Sequence, residues 1–292
     1  MTAPAPDRGR AARLCARLAL SAVLAVGLTG MVWIERIFAP KAELWPRWQA
    51  HDPGSGASVD HGAWQRLLDS YLAPGADGVN RFAYGRVSPA DREALNAYVV
   101  HLAATRVGAL KRAEQLAYWI NLYNALTVRL VLDHYPVASI RDIAISPGLF
   151  AVGPWGKPLI EVEGEALTLN DIEHRILRPI WGDPGIHYGV NCASIGCPDL
   201  QARAFTAETA EALMEAAARA YVNHPRGARV EAGRLTVSSI YAWFREDFGA
   251  NEAGVIAHLK PYAVPELATA LEAVEAIDAY EYDWALNDAA PR

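Results

Sequence analysis

The stretch LKRAEQLAYWINLYNALTVRLVLDH, from Leu110 to His134, decides how the chain is read. Leu116, Ile120, Tyr123, Val128, Val131 and Leu132 recur at helical spacing, and apolar residues fill much of the opposite side. A helix apolar nearly all round belongs in a core, not on a surface. Tyr135-Pro136 stops it, because the residue before proline avoids helical geometry. Asn121 and Asn124, three apart on one face, are then buried amides. Unpartnered, each costs about 1–3 kcal/mol. They brace neighbouring backbone or they line a site, and both alternatives stay open.

On the N-terminal side, Trp64, Leu67, Leu68 and Tyr71 follow helical spacing, ended by Pro74-Gly75-Ala76-Asp77-Gly78. Ser88-Pro89-Ala90-Asp91 starts a helix to about Ala104, with a hydroxyl cap and proline in the first turn. On the C-terminal side, Ser139 to Ile145 reads as a short helical turn and Ser146 to Pro158 as a loop. Leu159 to Val162 and Ala166-Leu167 form a hairpin around Glu163-Gly164-Glu165. Thr168 to Asp171 caps a helix through Glu173, His174 and Arg178, ended by Pro179. His187 to Asn191 alternates like a strand. Thr206 to His224 is an Ala-rich helix, Arg229 to Val237 a second hairpin turning at Gly233. Ser238 or Ser239 caps a helix through Phe244, and Asn251 to Leu259 forms another. These elements make one α+β domain, mostly helical with short β-hairpins, over residues 60–292.

A basic and apolar segment precedes this domain. Residues 1–17 carry Arg8, Arg10, Arg13 and Arg17, and an uncharged run from Leu18 to Ile34 follows, closed by Glu35 and Arg36. That pattern marks a membrane anchor or a secretory signal over residues 18–38, with the arginines left in the cytoplasm. The bulky Met31-Val32-Trp33-Ile34 favours an uncleaved transmembrane anchor over a cleaved signal helix. Residues 39–59 read as a linker containing Pro46, Pro53, Gly54 and Gly56. The expected location is therefore the inner membrane, with the body on the periplasmic side, or secretion if the segment is cleaved.

Charge is divided accordingly. Of 27 basic and 33 acidic residues, five basic and two acidic ones lie in the first forty, leaving 22 against 31 beyond. An acidic body without a basic stripe argues against nucleic acid as a partner. Its 52% hydrophobic content argues against intrinsic disorder. A small molecule or peptide remains a possible ligand. No GxGxxG, GxxxxGK[ST] or HExxH is present, so neither a cofactor nor a resident metal is expected.

At Tyr118-Trp119-Ile120-Asn121-Leu122-Tyr123-Asn124-Ala125 the chain begins to resemble a family. The likeness continues through Leu169 to His174 and Ile176-Leu177-Arg178, and is strongest from His187 to Pro198 (HYGVNCASIGCP). Ser238 to Phe244 with Asp247-Phe248, then Tyr282 to Asn287, complete the order. This resembles the domain of unknown function 547 family, over about Trp64 to Asn287. The resemblance implies a fold unit and no established reaction.

The chemistry concentrates at the cysteine loop. A thiolate nucleophile needs a base or positive charge beside it and a third group to orient that base. Cys192, with His174 or His187 as base and Asn121 or Asn124 as orienter, supplies those types. In kind, the set is similar to papain and transglutaminase cysteine hydrolases. Cys197 precedes Pro198, which has no N–H to offer an oxyanion, so Cys192 is the better nucleophile and Cys197 its resolving or structural partner. The competing reading is a structural Cys192–Cys197 disulfide in a non-catalytic ligand-binding or interaction module. Metal ligation by His187, Cys192 and Cys197 ranks third, since no zinc spacing is present. Glu173 reads as a brace to arginine. Its neighbour His174 should face elsewhere but share a face with Arg178. His51, His61, His101, His224 and His258 read as solvated or turn residues, and Asp283-Trp284 with Asn287 as a packing clasp with a buried indole.

Overall fold

The computed structural model describes residues 39–148 and 152–289. The expected membrane segment, 18–38, lies outside them, as does Cys15. Among the described residues no helix is long and apolar enough to cross a membrane.

Helix α1 (Gly62–Tyr71) leads into a short antiparallel pair, β1 (Leu72–Pro74) and β2 (Asn80–Phe82). Helix α2 (Pro89–Ala103) starts as expected, with the Ser88 hydroxyl accepting the Asp91 N–H at 3.1 Å. Helix α3 (Arg112–His134) is buried almost continuously from Glu114 to Leu132, as its all-round apolar pattern requires. Packed on it is α2, and α1 and the hairpin β3 (Ile160–Val162)–β4 (Glu165–Leu167) belong to the same apolar cluster. Glu163 and Gly164 both have positive φ in that hairpin's two-residue turn, where glycine meets the backbone demand at no cost.

The segment after β4 departs from ordinary helix. Asp171–Leu177 is a π-helix, and the Arg178 N–H reaches back to the Glu173 carbonyl. Pro179 does not end it: α4 (Arg178–Trp181) continues with proline in its first turn, where no N–H is needed, until Gly182 turns left-handed. Residues 187–191 are not a strand. His187 lies in the short helix α5 (Ile186–Gly189), and the chain extends only from Val190. Period-2 alternation over five residues does not separate a strand from one helical turn.

A second apolar cluster surrounds α6 (Ala210–Val222), α7 (Ile240–Trp243) and α8 (Glu252–Leu259). It also covers the sheet β5 (Ala228–Glu231)–β6 (Arg234–Ser238)–β7 (Ala279–Glu281), in which β6 and β7 run parallel. Helix α9 (Pro265–Glu272) and β7 lay in a C-terminal stretch for which the sequence predicted no element. The result is α+β, with small sheets on a helical frame.

Candidate functional site

A cavity of about 670 Å³ opens where the two apolar clusters meet, walled by Tyr123 from α3 and by Ile240, Trp243, Phe244, Tyr282 and Trp284 from the second half. Its size suits a small molecule or a peptide segment. The π-helix contributes Glu173 and His174, α5 contributes His187, and the following loop contributes Cys192 and Cys197. Glu173 and His174 were expected to diverge by helical geometry. The wider π turn changes that spacing, and both reach the cavity, a common use of π segments.

The cysteine loop is held by bonds that do not involve a disulfide. Cys192 and Cys197 are free thiols in this structure, so the expected structural bridge is not what fixes the loop. The Ile195 and Gly196 N–H groups donate to the carbonyls of Ala285 and Asp283, each at 2.8 Å. Tyr221 donates its hydroxyl to the Gly196 carbonyl at 2.6 Å, and Arg226 donates to the Ile195 carbonyl at 2.8 Å. A side chain at Gly196 would stand 2.7 Å from the Asp283 nitrogen, so only glycine permits this contact. Asn191 accepts the Ala193 N–H and donates to the Pro198 carbonyl, clamping both ends of the turn.

Cys192 is half-buried at the cavity wall; Cys197 stands behind it, 6% exposed. The sulfur of Cys192 lies 3.1 Å from both the Ser194 and Tyr282 hydroxyls. The adjacent Cys197 side chain, joined by those two hydroxyls, brings the Cys192 thiol below its ordinary pKa against the opposing effect of burial. Burial drives the Cys197 thiol well above its ordinary value.

The imidazoles belong to a separate ionic cluster in the same cavity. His187 Nε2 lies 2.7 Å from Asp247 Oδ2, and its Nδ1 is 3.6 Å from Glu173 Oε1. The ring stacks on Phe244 with centroids 4.5 Å apart. Arg178 donates through Nε to Asp247 Oδ2 at 2.6 Å, and through Nη1 to the Pro40 carbonyl and to His174 Nδ1, each at 2.9 Å. A guanidinium can only donate, so His174 Nδ1 must accept and its proton sits on Nε2. Burial lowers the His174 pKa to about 4, keeping that ring neutral at pH 7. Burial alone would raise Glu173, but the adjacent His174, His187 and Arg178 bring it down to about 2. Asp247 is likewise held below the usual carboxylate range, against burial, by its bonds to His187 and Arg178.

The sequence-derived set is therefore brought together in part. Cys192, His174 and His187 share one cavity, although the Cys192 sulfur bonds to hydroxyls and not to an imidazole. Asn121 and Asn124 do not line it. Asn121 is bonded to both backbone groups of Phe205, and Asn124 to the Gly189 carbonyl and the Asn191 N–H. With those amides spent on backbone, neither orients a histidine. Asp247, Ser194 and Tyr282 were not foreseen. Asp247 lies sixty residues beyond His187, and no local spacing joins them. Trp284 is part of the cavity wall and not a buried clasp, while Asn287 is buried and accepts from the Tyr84 hydroxyl at 2.9 Å. His61 is buried against the Tyr98 hydroxyl, and His258 packs on Tyr188, so neither is the solvated residue expected. Among the described residues no group of His, Cys, Asp and Glu side chains is arranged to hold a metal ion.

Fold and site together define an α+β protein with a thiol-bearing, acid/base-lined cavity. Residues 107–222 match the model of the family described as "Protein of unknown function, DUF547", the family that the sequence resembles. The segment contains α3, the π-helix and the cysteine loop, whereas Asp247 and Tyr282 lie beyond it. No curated protein and no solved structure matches the chain.

Proposed function

We propose that the cavity is the active site of a thiol-dependent hydrolase or acyl transferase acting on an amide or thioester. One observation carries this reading: the cavity-facing sulfur of Cys192 lies 3.1 Å from the hydroxyls of Ser194 and Tyr282, and its pKa is lowered. A thiolate at that position attacks the substrate carbonyl, and a carbon–sulfur bond forms as the carbon–nitrogen or thioester bond breaks. The leaving group takes a proton from His187, and water or an acceptor amine then releases the acyl group. His187 suits the proton-transfer role, because the His174 Nδ1 is already occupied by Arg178. The N-terminal pattern Arg8 to Ile34 supports an envelope location for this chemistry.

A non-catalytic binding module is the second reading. It is favoured by the two carboxylates that face His187, which leave the ring in no contact with the sulfur. Alkylation by iodoacetamide over a pH series, with mass spectrometry to locate the label, tests the first. Cys192 should react with a midpoint below the ordinary thiol value of about 8.5, and Cys197 far more slowly. A midpoint at or above that value overturns the nucleophile assignment.

A further inference from the structure

The geometry points to Cys192 and Cys197 as a reversible dithiol–disulfide pair, a redox modification site at which a hydroperoxide oxidises Cys192 and Cys197 resolves it. Four observations converge on this. The two residues are in direct contact, the Cys192 N–H donating to the Cys197 sulfur at 3.1 Å. Both residues line the cavity, yet only Cys192 is more than marginally exposed, so an oxidant entering there meets it first. The turn between them is tight: Ala193 has φ +60° and the Cys197 N–H donates to the Ser194 carbonyl at 3.1 Å. Finally, Tyr221, Arg226 and the backbone at 283–285 hold that turn, so the sulfurs are kept together without a covalent bond.

The chemistry balances with a hydroperoxide as the only added reagent. The Cys192 thiolate attacks the terminal peroxide oxygen, the O–O bond breaks, and an alcohol or water leaves with one proton. Cys192 is then a sulfenic acid. The Cys197 sulfur displaces hydroxide from it, its own proton completing a water molecule, and the disulfide forms. The lowered pKa of Cys192 and raised pKa of Cys197 assign the order, because the thiolate is the attacking species. Oxidation would remove the cavity's nucleophile, and a dithiol reductant would return it. The pair does not depend on the cavity turning over any substrate.

The full-length protein, reduced and then exposed to a small excess of hydrogen peroxide, provides the test. After denaturation and alkylation, mass spectrometry should show two hydrogens lost, two fewer alkylated cysteines, and a peptide linking Cys192 to Cys197. Dithiothreitol should reverse all three. In Cys197→Ser, Cys192 should stop at a sulfenic acid that dimedone traps; in Cys192→Ser, Cys197 should remain reduced. Retention of both alkylatable thiols in the wild-type protein would overturn the proposal, as would direct passage of Cys192 to a sulfinic acid. Neither outcome requires the variants to fold. Failure of acyl transfer leaves this result unaltered, since the readout is the mass of the cysteine peptides.

Discussion

Arg178 shows how much one side chain carries at this site. Its guanidinium binds Asp247, His174 and the Pro40 carbonyl, and lies 4.7 Å above the centroid of the Phe244 ring. The side chain is 3% exposed and that of Asp247 is 21% exposed, so removing the cation strands a partly desolvated carboxylate. Breaking such a pair from one side costs about 3–5 kcal/mol. Arg178→Met should lose stability on that order in urea unfolding. Arg178→Lys should recover only part of it, because an ammonium cannot reproduce the planar fork. Equal stability of Arg178→Met and wild type would mean that the cluster contributes no net energy. At this scale the sequence was informative about His174 and Arg178, whose four-residue spacing gives a bond of 2.9 Å.

At the scale of elements, α3 separates bracing from chemistry. Asn121 and Asn124 project from one helix, yet Asn121 ties down Phe205 while Asn124 ties Gly189 and Asn191, next to the nucleophile loop. Asn121→Ala strands two buried backbone groups at about 1–3 kcal/mol each. It should lower the unfolding midpoint without altering the rate of Cys192 alkylation. Asn124→Ala should lower the midpoint and alter that rate as well. A slowed Cys192 in Asn121→Ala would restore the orienting role that the residue types suggested. The elements themselves were largely legible. All-round apolarity predicted α3, Ser88-Pro89 predicted the start of α2, and Glu163-Gly164 predicted the turn between β3 and β4. The rest depended on features without a local pattern. A π turn is set by tertiary packing, which is why Glu173 and His174 share a cavity that helical spacing denied them. Asp247 and Tyr282 reach the site only because α7 and β7 fold back over it, and such distant pairings leave no periodicity.

Across the whole molecule, buried imidazoles tie stability to pH. Burial lowers His61, His174 and His258 from the ordinary 6.5 to about 4. His61 Nδ1 meets the Tyr98 hydroxyl at 2.6 Å, but its Nε2 is buried without a partner, so a proton there has nothing to bond to. His258 meets the Tyr188 hydroxyl at 2.8 Å and stacks on that ring. Between pH 6.5 and about 4 the unfolded chain takes up protons that the folded chain refuses, so stability must fall as pH falls through this window. Glu173 acts lower down and with the same sign. Its pKa is depressed from 4.5 to about 2, so its contribution is full above 4.5 and disappears as pH drops through 2. Urea midpoints measured from about pH 7.5 down to about 4.5 should therefore decline throughout the acid half of the range. His61→Gln, which keeps a polar group for Tyr98 but cannot accept a proton, should have a shallower decline than wild type. A midpoint that stays flat from neutrality to about pH 5 would show that these rings take up protons equally well in the folded protein. A decline with the same slope in His61→Gln would move the linkage to His174 and His258.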